Sequence, residues 1–134
     1  MQYKEIMDAA AQARINAYAP YSKFTVGAAL LTKTGKIFAG SNIENISLGL
    51  TICAERSAVA NAISNGSKDL EAIAIVANSP EPAMPCGACR QVLVEFNPDL
   101  VVVVSTTKGD VKEFRLSELL PRPTHGILGE HRDV

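Results

Sequence analysis

The sequence predicts an α/β fold, a mixed five-stranded sheet with helices on its faces, and three observations carry that expectation. Short apolar runs alternate with segments of helical spacing in the order helix, hairpin, helix, strand, helix, strand, strand. Leu100 to Ser105 contains four consecutive valines, the pattern of a strand covered on both faces. The first two strands are joined by a tight turn, which makes the sheet mixed rather than all parallel.

In chain order, Ile6, Ala9, Ala10, Ala13 and Ala17 recur at helical spacing through residues 2–18, and Pro20 stops the helix. The face they form is made largely of small residues, which allows close packing. Phe24 to Thr32 reads as a strand with Val26, Ala28 and Leu30 on one side. Lys33-Thr34-Gly35-Lys36 turns the chain into a return strand, Lys36 to Ser41. The Asn- and Gly-containing loop Asn42 to Thr51 leads to a helix from Cys53 to Ser64, stopped by Asn65-Gly66. Leu70 to Ala77 is short and apolar enough for a buried strand. After the Pro-rich loop Asn78 to Pro85, a helix runs from Cys86 to Phe96 and ends at Asn97-Pro98. Lys108-Gly109-Asp110 separates the valine strand from a last one, Val111 to Leu116. A single helical turn, Ser117 to Leu120, follows, and beyond Pro121 the chain is irregular and polar.

The chain of 134 residues, without repeats or linkers, is read as one domain spanning 1–134. A net charge of −1 with scattered Lys and Arg gives no basic stripe for nucleic acid and no field toward anionic membranes. No apolar run approaches the ~20 residues of a membrane span, and the N-terminus lacks a signal-peptide core. Three cysteines, an odd number at metal-like spacing, argue for a reducing compartment and a cytoplasmic protein.

Those cysteines carry the chemistry. Cys53 opens Cys53-Ala54-Glu55-Arg56, while Cys86 and Cys89 lie in Pro85-Cys86-Gly87-Ala88-Cys89-Arg90. Three sulfurs without a fourth cysteine resemble a zinc site with one position left open, as catalytic zinc requires. Glu55 supplies the base that an activated water needs. Both clusters sit where a helix begins, and the positive helix end favours thiolate over thiol. Arg56 and Arg90, each just after a ligand segment, are expected to donate hydrogen bonds to the thiolates and to offset their charge. Two other readings exist. A structural zinc needs four protein ligands, but His125 and His131, the only histidines, lie in the polar tail without ligand spacing. Cysteines that are merely small core residues would leave Glu55 without a task.

The pairing of Cys53-Ala54-Glu55 with Pro85-Cys86-Gly87-Ala88-Cys89 resembles the zinc-dependent cytidine deaminases of the small homotetrameric type. The resemblance runs from about Tyr18 to Pro121. It includes Tyr18-Ala19-Pro20-Tyr21-Ser22-Lys23-Phe24, Val26-Gly27-Ala28-Ala29-Leu30, Asn42-Ile43-Glu44-Asn45 and Cys89-Arg90-Gln91-Val92. It implies a three-layer cytidine-deaminase-like fold and a zinc ion held by Cys53, Cys86 and Cys89. It also implies that Glu55 moves a proton from water to the pyrimidine ring nitrogen as ammonia leaves C4. Asn42 and Glu44 resemble the family's sugar-binding pair, Phe24 its ring near the base, and Ala54 a contributor of backbone groups to the base. Taken alone, Asn42 also reads as a turn residue, Glu44 as a solvated charge and Phe24 as the first core residue of its strand. A carboxylate at Glu44 would repel a phosphate, which favours a nucleoside over a nucleotide. The homotetramer and the small-molecule nucleoside substrate are likewise implied by the resemblance.

Two departures stand out. Leu48 occupies the place where the family usually has Tyr, and Thr124 the place of a Phe after Leu119-Leu120-Pro121. Losing a ring that stacks on the base removes ~1–3 kcal/mol, or opens room for a bulkier base. The nearest competing substrate is therefore another aminopyrimidine nucleoside, such as blasticidin S or an N4-substituted cytidine. A polynucleotide-editing deaminase would need the basic surface this chain lacks. A non-enzymatic zinc module would need a fourth protein ligand.

Overall fold

The computed structural model describes residues 3–123. The sheet comprises β1 (Val26–Thr32), β2 (Ile37–Ser41), β3 (Leu70–Ala77), β4 (Val101–Thr106) and β5 (Val111–Arg115), in the order β2-β1-β3-β4-β5. β3 and β4 run parallel, and the other neighbours are antiparallel, so the sheet is mixed as expected.

The helices are α1 (Lys4–Arg14), α2 (Ala54–Ser64), α3 (Gly87–Val94) and the single turn α4 (Leu116–Leu119). Alternation along the strands splits the core in two. Ala28, Leu30, Ile73, Ile75, Val102 and Val104 face α2 and α3, packing with Ala58, Leu93 and Val94. Ala29, Ala72, Ala74, Val76, Val101 and Val103 face the other way, packing with Ile6 and Ala10 of α1. One face thus carries α1, and the opposite face carries α2 and α3. Every residue of β4 is buried, as its valine run predicts.

The small-residue face of α1 has a specific counterpart. A Cβ added to Gly27 would stand 1.8 Å from Ala10 O, so the helix backbone lies directly on β1. Gly40 plays the same part under α2, where a Cβ would come within 2.3 Å of Ala58 N.

Some boundaries differ from the sequence expectation. α1 stops at Arg14 because Asn16 and Ala17 bond three residues back, to Ala13 O and Arg14 O, tightening the end out of α geometry. Phe24 precedes β1 instead of opening it, because its C=O and the Val26 N–H are taken by the Asn42 side chain. α3 ends at Val94, with Phe96 N bonded three residues back to Leu93 O. Thr124, His125 and His131 lie outside the described residues.

Candidate metal centre and substrate cleft

α2 and α3 begin alike. Cys53 and Cys86 are their N-cap residues, both with extended backbone (ψ 155° and 169°), and neither sulfur is spent on a capping hydrogen bond. Cys89 lies one turn into α3 and is buried. The result is three free thiols whose sulfurs all lie within 4.8 Å of one another, with Cys86 and Cys89 at 3.5 Å. Tetrahedral zinc with Zn–S bonds of ~2.3 Å needs sulfurs about 3.8 Å apart, so this trio fits the ion in both spacing and softness.

The sulfurs hold protons unequally. The Cys53 thiol is pulled down to about 5, first by a hydrogen bond from Cys89 and then by Arg56. The Cys89 thiol is pushed up because it donates to Cys53 and is buried. Arg56 Nη2 donates to Cys53 Sγ at 3.4 Å, and this bond holds the guanidinium charged more firmly than usual. Arg90, expected to do the same, is directed elsewhere. Its Nε donates to Pro85 O at 2.8 Å and its Nη1 to Leu119 O at 2.9 Å. Arg90 therefore braces the ligand loop against α4 and leaves the sulfurs to Arg56.

Glu55 sits in the first turn of α2 and is only 5% exposed. Burial raises its carboxyl pKa, and the Cys53 thiolate adds to the rise. Such a group can hold a proton for part of a reaction cycle, which an ordinary carboxylate does poorly near neutrality. Ala54, the first residue of α2, is fully buried.

Asn42 and Glu44, the expected sugar-binding pair, are tied to this cluster through backbone. Ile43 bridges Tyr18 on one side and Ile52 on the other, with Ile43 N and Ile52 N each bonded to the other's carbonyl at 2.9 Å. Asn42 and Glu44 flank Ile43, whose bridge partner Ile52 directly precedes Cys53. Glu44 Oε1 accepts from Tyr21 N and Ser22 N, both at 3.0 Å, and Oε2 accepts from Ser22 Oγ. The Ser22 hydroxyl bond above all keeps this carboxyl below its ordinary pKa. Asn42 is 8% exposed, and its amide has a task beyond the one the sequence suggests. Oδ1 accepts from Val26 N at 2.9 Å, and Nδ2 gives one hydrogen to Phe24 O at 2.8 Å. Phe24 is 39% exposed and outside both core clusters, which removes the reading of a core residue. Sequence reasoning missed Ser22. Its signal was a serine two residues before Phe24, the spacing at which a hydroxyl accepts a backbone N–H.

An α/β protein in which three thiols converge beside a buried carboxylate is, in class, a zinc enzyme. Residues 1–105 match the family described as the cytidine and deoxycytidylate deaminase zinc-binding region, and the chain belongs to that family. The cytidine deaminase of Halalkalibacterium halodurans is 52% identical over 122 residues, covering 90% of this chain and 92% of that protein. The solved cytidine deaminase of Burkholderia pseudomallei superposes with a TM-score of 0.87 at 47% identity, covering 91% and 98% of the two chains. The blasticidin-S deaminase of Bacillus cereus is 35% identical over 108 residues, covering 75% of this chain and 76% of that protein.

Proposed function

We propose that this protein hydrolytically deaminates cytidine and 2′-deoxycytidine to uridine and 2′-deoxyuridine, releasing ammonia, as a step of pyrimidine salvage. The observation that carries this is the three-thiol cluster shared between two helix N-termini, with Glu55 buried in the first turn of one of them. Zinc bound there supplies Lewis acidity and lowers the pKa of a water beside it. Glu55, raised by burial, takes a proton from the attacking water and gives it to the pyrimidine ring nitrogen. It then takes the second proton from the hydroxyl now on C4 and passes it to the amine as the C4–N bond breaks and ammonia leaves. Arg56 offsets the charge of the thiolates, which would otherwise blunt the cation. On the sugar side Glu44 accepts a ribose hydroxyl. Asn42 fixes Phe24 and keeps one Nδ2 hydrogen for the sugar. The exposed Phe24 ring packs near the base.

Ammonia release from cytidine by zinc-loaded protein, with Glu55→Ala as control, tests this reading. Glu55-dependent release is expected. No release from protein holding one zinc per chain would sink cytidine as the substrate. Cytidine monophosphate should be a poor substrate, since Glu44 is held ionised where the phosphate would approach. A second reading, a larger nucleoside such as blasticidin S, is favoured by Leu48, an aliphatic residue 73% exposed on the substrate-side loop.

The same loop supports a homotetramer. Ile46, Leu48 and Leu50 are 80%, 73% and 67% exposed just before Cys53. An apolar cluster of this kind marks an interaction surface, and a second copy of the chain covering it would wall the cleft. Leu48→Asp should lower the oligomer mass in sedimentation. No helix among the described residues is long and apolar enough to cross a membrane. The free cysteines support our assignment of the protein, as one domain of 1–134, to the cytoplasm.

A further inference from the structure

The segment Tyr18 to Phe24 is fastened to Asn42 and Glu44 by several hydrogen bonds, and the Ser22 hydroxyl makes two bonds in this network. Ser22 Oγ donates to Glu44 Oε2 and accepts from Phe24 N at 3.0 Å. The Ser22 N–H also donates to Glu44 Oε1. Phe24 is thus pinned at its N–H by Ser22 and at its C=O by Asn42 Nδ2. Between them Lys23 adopts a left-handed backbone, φ 61°, with its N–H on Ala19 O at 3.0 Å. A non-glycine residue there costs free energy, and such a conformation persists only where its surroundings hold it. The left-handed turn folds the Phe24 N–H back onto the Ser22 hydroxyl.

We infer that Ser22 is a positioning residue: its hydroxyl couples the Glu44 carboxylate to the backbone of Phe24, so that the sugar contact and the base contact are set together. The inference rests on Glu44 and Phe24 being substrate contacts, as proposed above. Ser22 has both roles filled. Its single O–H is committed to a charged acceptor, the stronger kind of hydrogen bond, and an oxygen lone pair takes the Phe24 N–H. Alanine removes both bonds at once, whereas threonine keeps the hydroxyl.

Steady-state deamination of cytidine by wild type, Ser22→Ala and Ser22→Thr is the test, with zinc content checked for each. Ser22→Ala should raise KM about tenfold and leave kcat within about twofold, because it removes one charge-assisted bond on the binding side alone. Ser22→Thr should bring KM back to within about threefold of wild type. An unchanged KM in Ser22→Ala, a fall in kcat without a rise in KM, or a Ser22→Thr as impaired as Ser22→Ala would overturn the inference. Amide hydrogen exchange separates this result from the substrate assignment. Ser22→Ala should speed exchange at Phe24, Tyr21 and Ser22 and leave α2 unchanged, even if wild type does not turn over cytidine. Exchange at Phe24 as slow as in wild type would refute the coupling whatever the activity.

Discussion

The starts of α2 and α3 are two versions of one device loaded differently. Each has cysteine at the N-cap, and the next three residues are Ala54-Glu55-Arg56 in α2 and Gly87-Ala88-Cys89 in α3. The third helical position faces the sulfur cluster in both cases. In α3 it supplies the last thiol, and in α2 it supplies the guanidinium that answers the thiols' charge. The second position is a buried carboxylate in α2 and an exposed alanine in α3. One helix start therefore brings a buried carboxylate and the counter-charge, and the other brings two of the three thiols. The helix supplies the same positive end to both, so the side chains decide the division of labour.

The sharpest test of that division is Glu55→Gln. It should keep zinc and lower turnover by about 10²–10⁴-fold, the usual worth of a general acid–base group. Metal analysis beside ammonia release checks it, and loss of zinc from this variant would mean that the carboxylate belongs to the ligand set. Next comes the pair of arginines. Arg56→Ala should weaken zinc binding by about 10–100-fold in a chelator competition, as loss of a group bonded to a metal ligand does. Arg90→Ala should leave zinc affinity within a few-fold and instead cost about 1–3 kcal/mol of unfolding free energy, since its bonds run to the Pro85 and Leu119 carbonyls. Equal losses of zinc affinity in the two variants would abolish the asymmetry.

A third experiment asks whether α2 is the more tightly seated helix. Gly40→Ala places a methyl 2.3 Å from Ala58 N and 2.7 Å from the Ser57 carbonyl carbon, and backbone cannot swing aside. Denaturant midpoints should report about 1–3 kcal/mol of destabilisation, the cost of overpacking. Activity should fall with it, because Glu55 and Cys53 move with α2. The smallest effect is at Glu44. The folded-state pKa of Glu44 lies below its ordinary value of 4.5, so the carboxylate's contribution to stability is complete above that value and is lost as pH falls through the lower, folded one. The Tm advantage of wild type over Glu44→Gln should be constant from neutral pH to about 5 and shrink in more acid buffer. An advantage that grew on acidification would have the wrong sign for this network.

Much of this was legible in the chain because the relevant signals are local. Strand and helix periods, the Asn65-Gly66 stop and the valine run mark the elements. The ligand spacing needs only a helix start and one turn. Arg56 was readable for the same reason, since a residue three positions past an N-cap lies on the cap's side of the helix. Arg90 was not, because its direction depends on Leu119, which is brought beside α3 only by the last turn of helix. The Ser22–Glu44 and Asn42–Val26 bonds join residues 22 and 16 positions apart, and their existence depends on how a loop without periodicity closes. The boundary at Phe24 was misplaced for that reason too, because a side chain took the place of a strand partner.

The parallel pairing of β3 with β4 has a consequence for folding. Parallel neighbours cannot be joined by a hairpin, so the chain must leave the sheet and return, and Cys86 and Cys89 both lie on that excursion. Cys53 belongs to a separate excursion, between β2 and β3. A cation gripping all three sulfurs cross-links two long loops that the unfolded chain would have to close at an entropic cost. Occupancy of the site then enters the folding equilibrium by mass action, adding ~2.7 kcal/mol at a free ion concentration one hundred times the dissociation constant. With the ion bound there, its supply would set how much of the chain is folded.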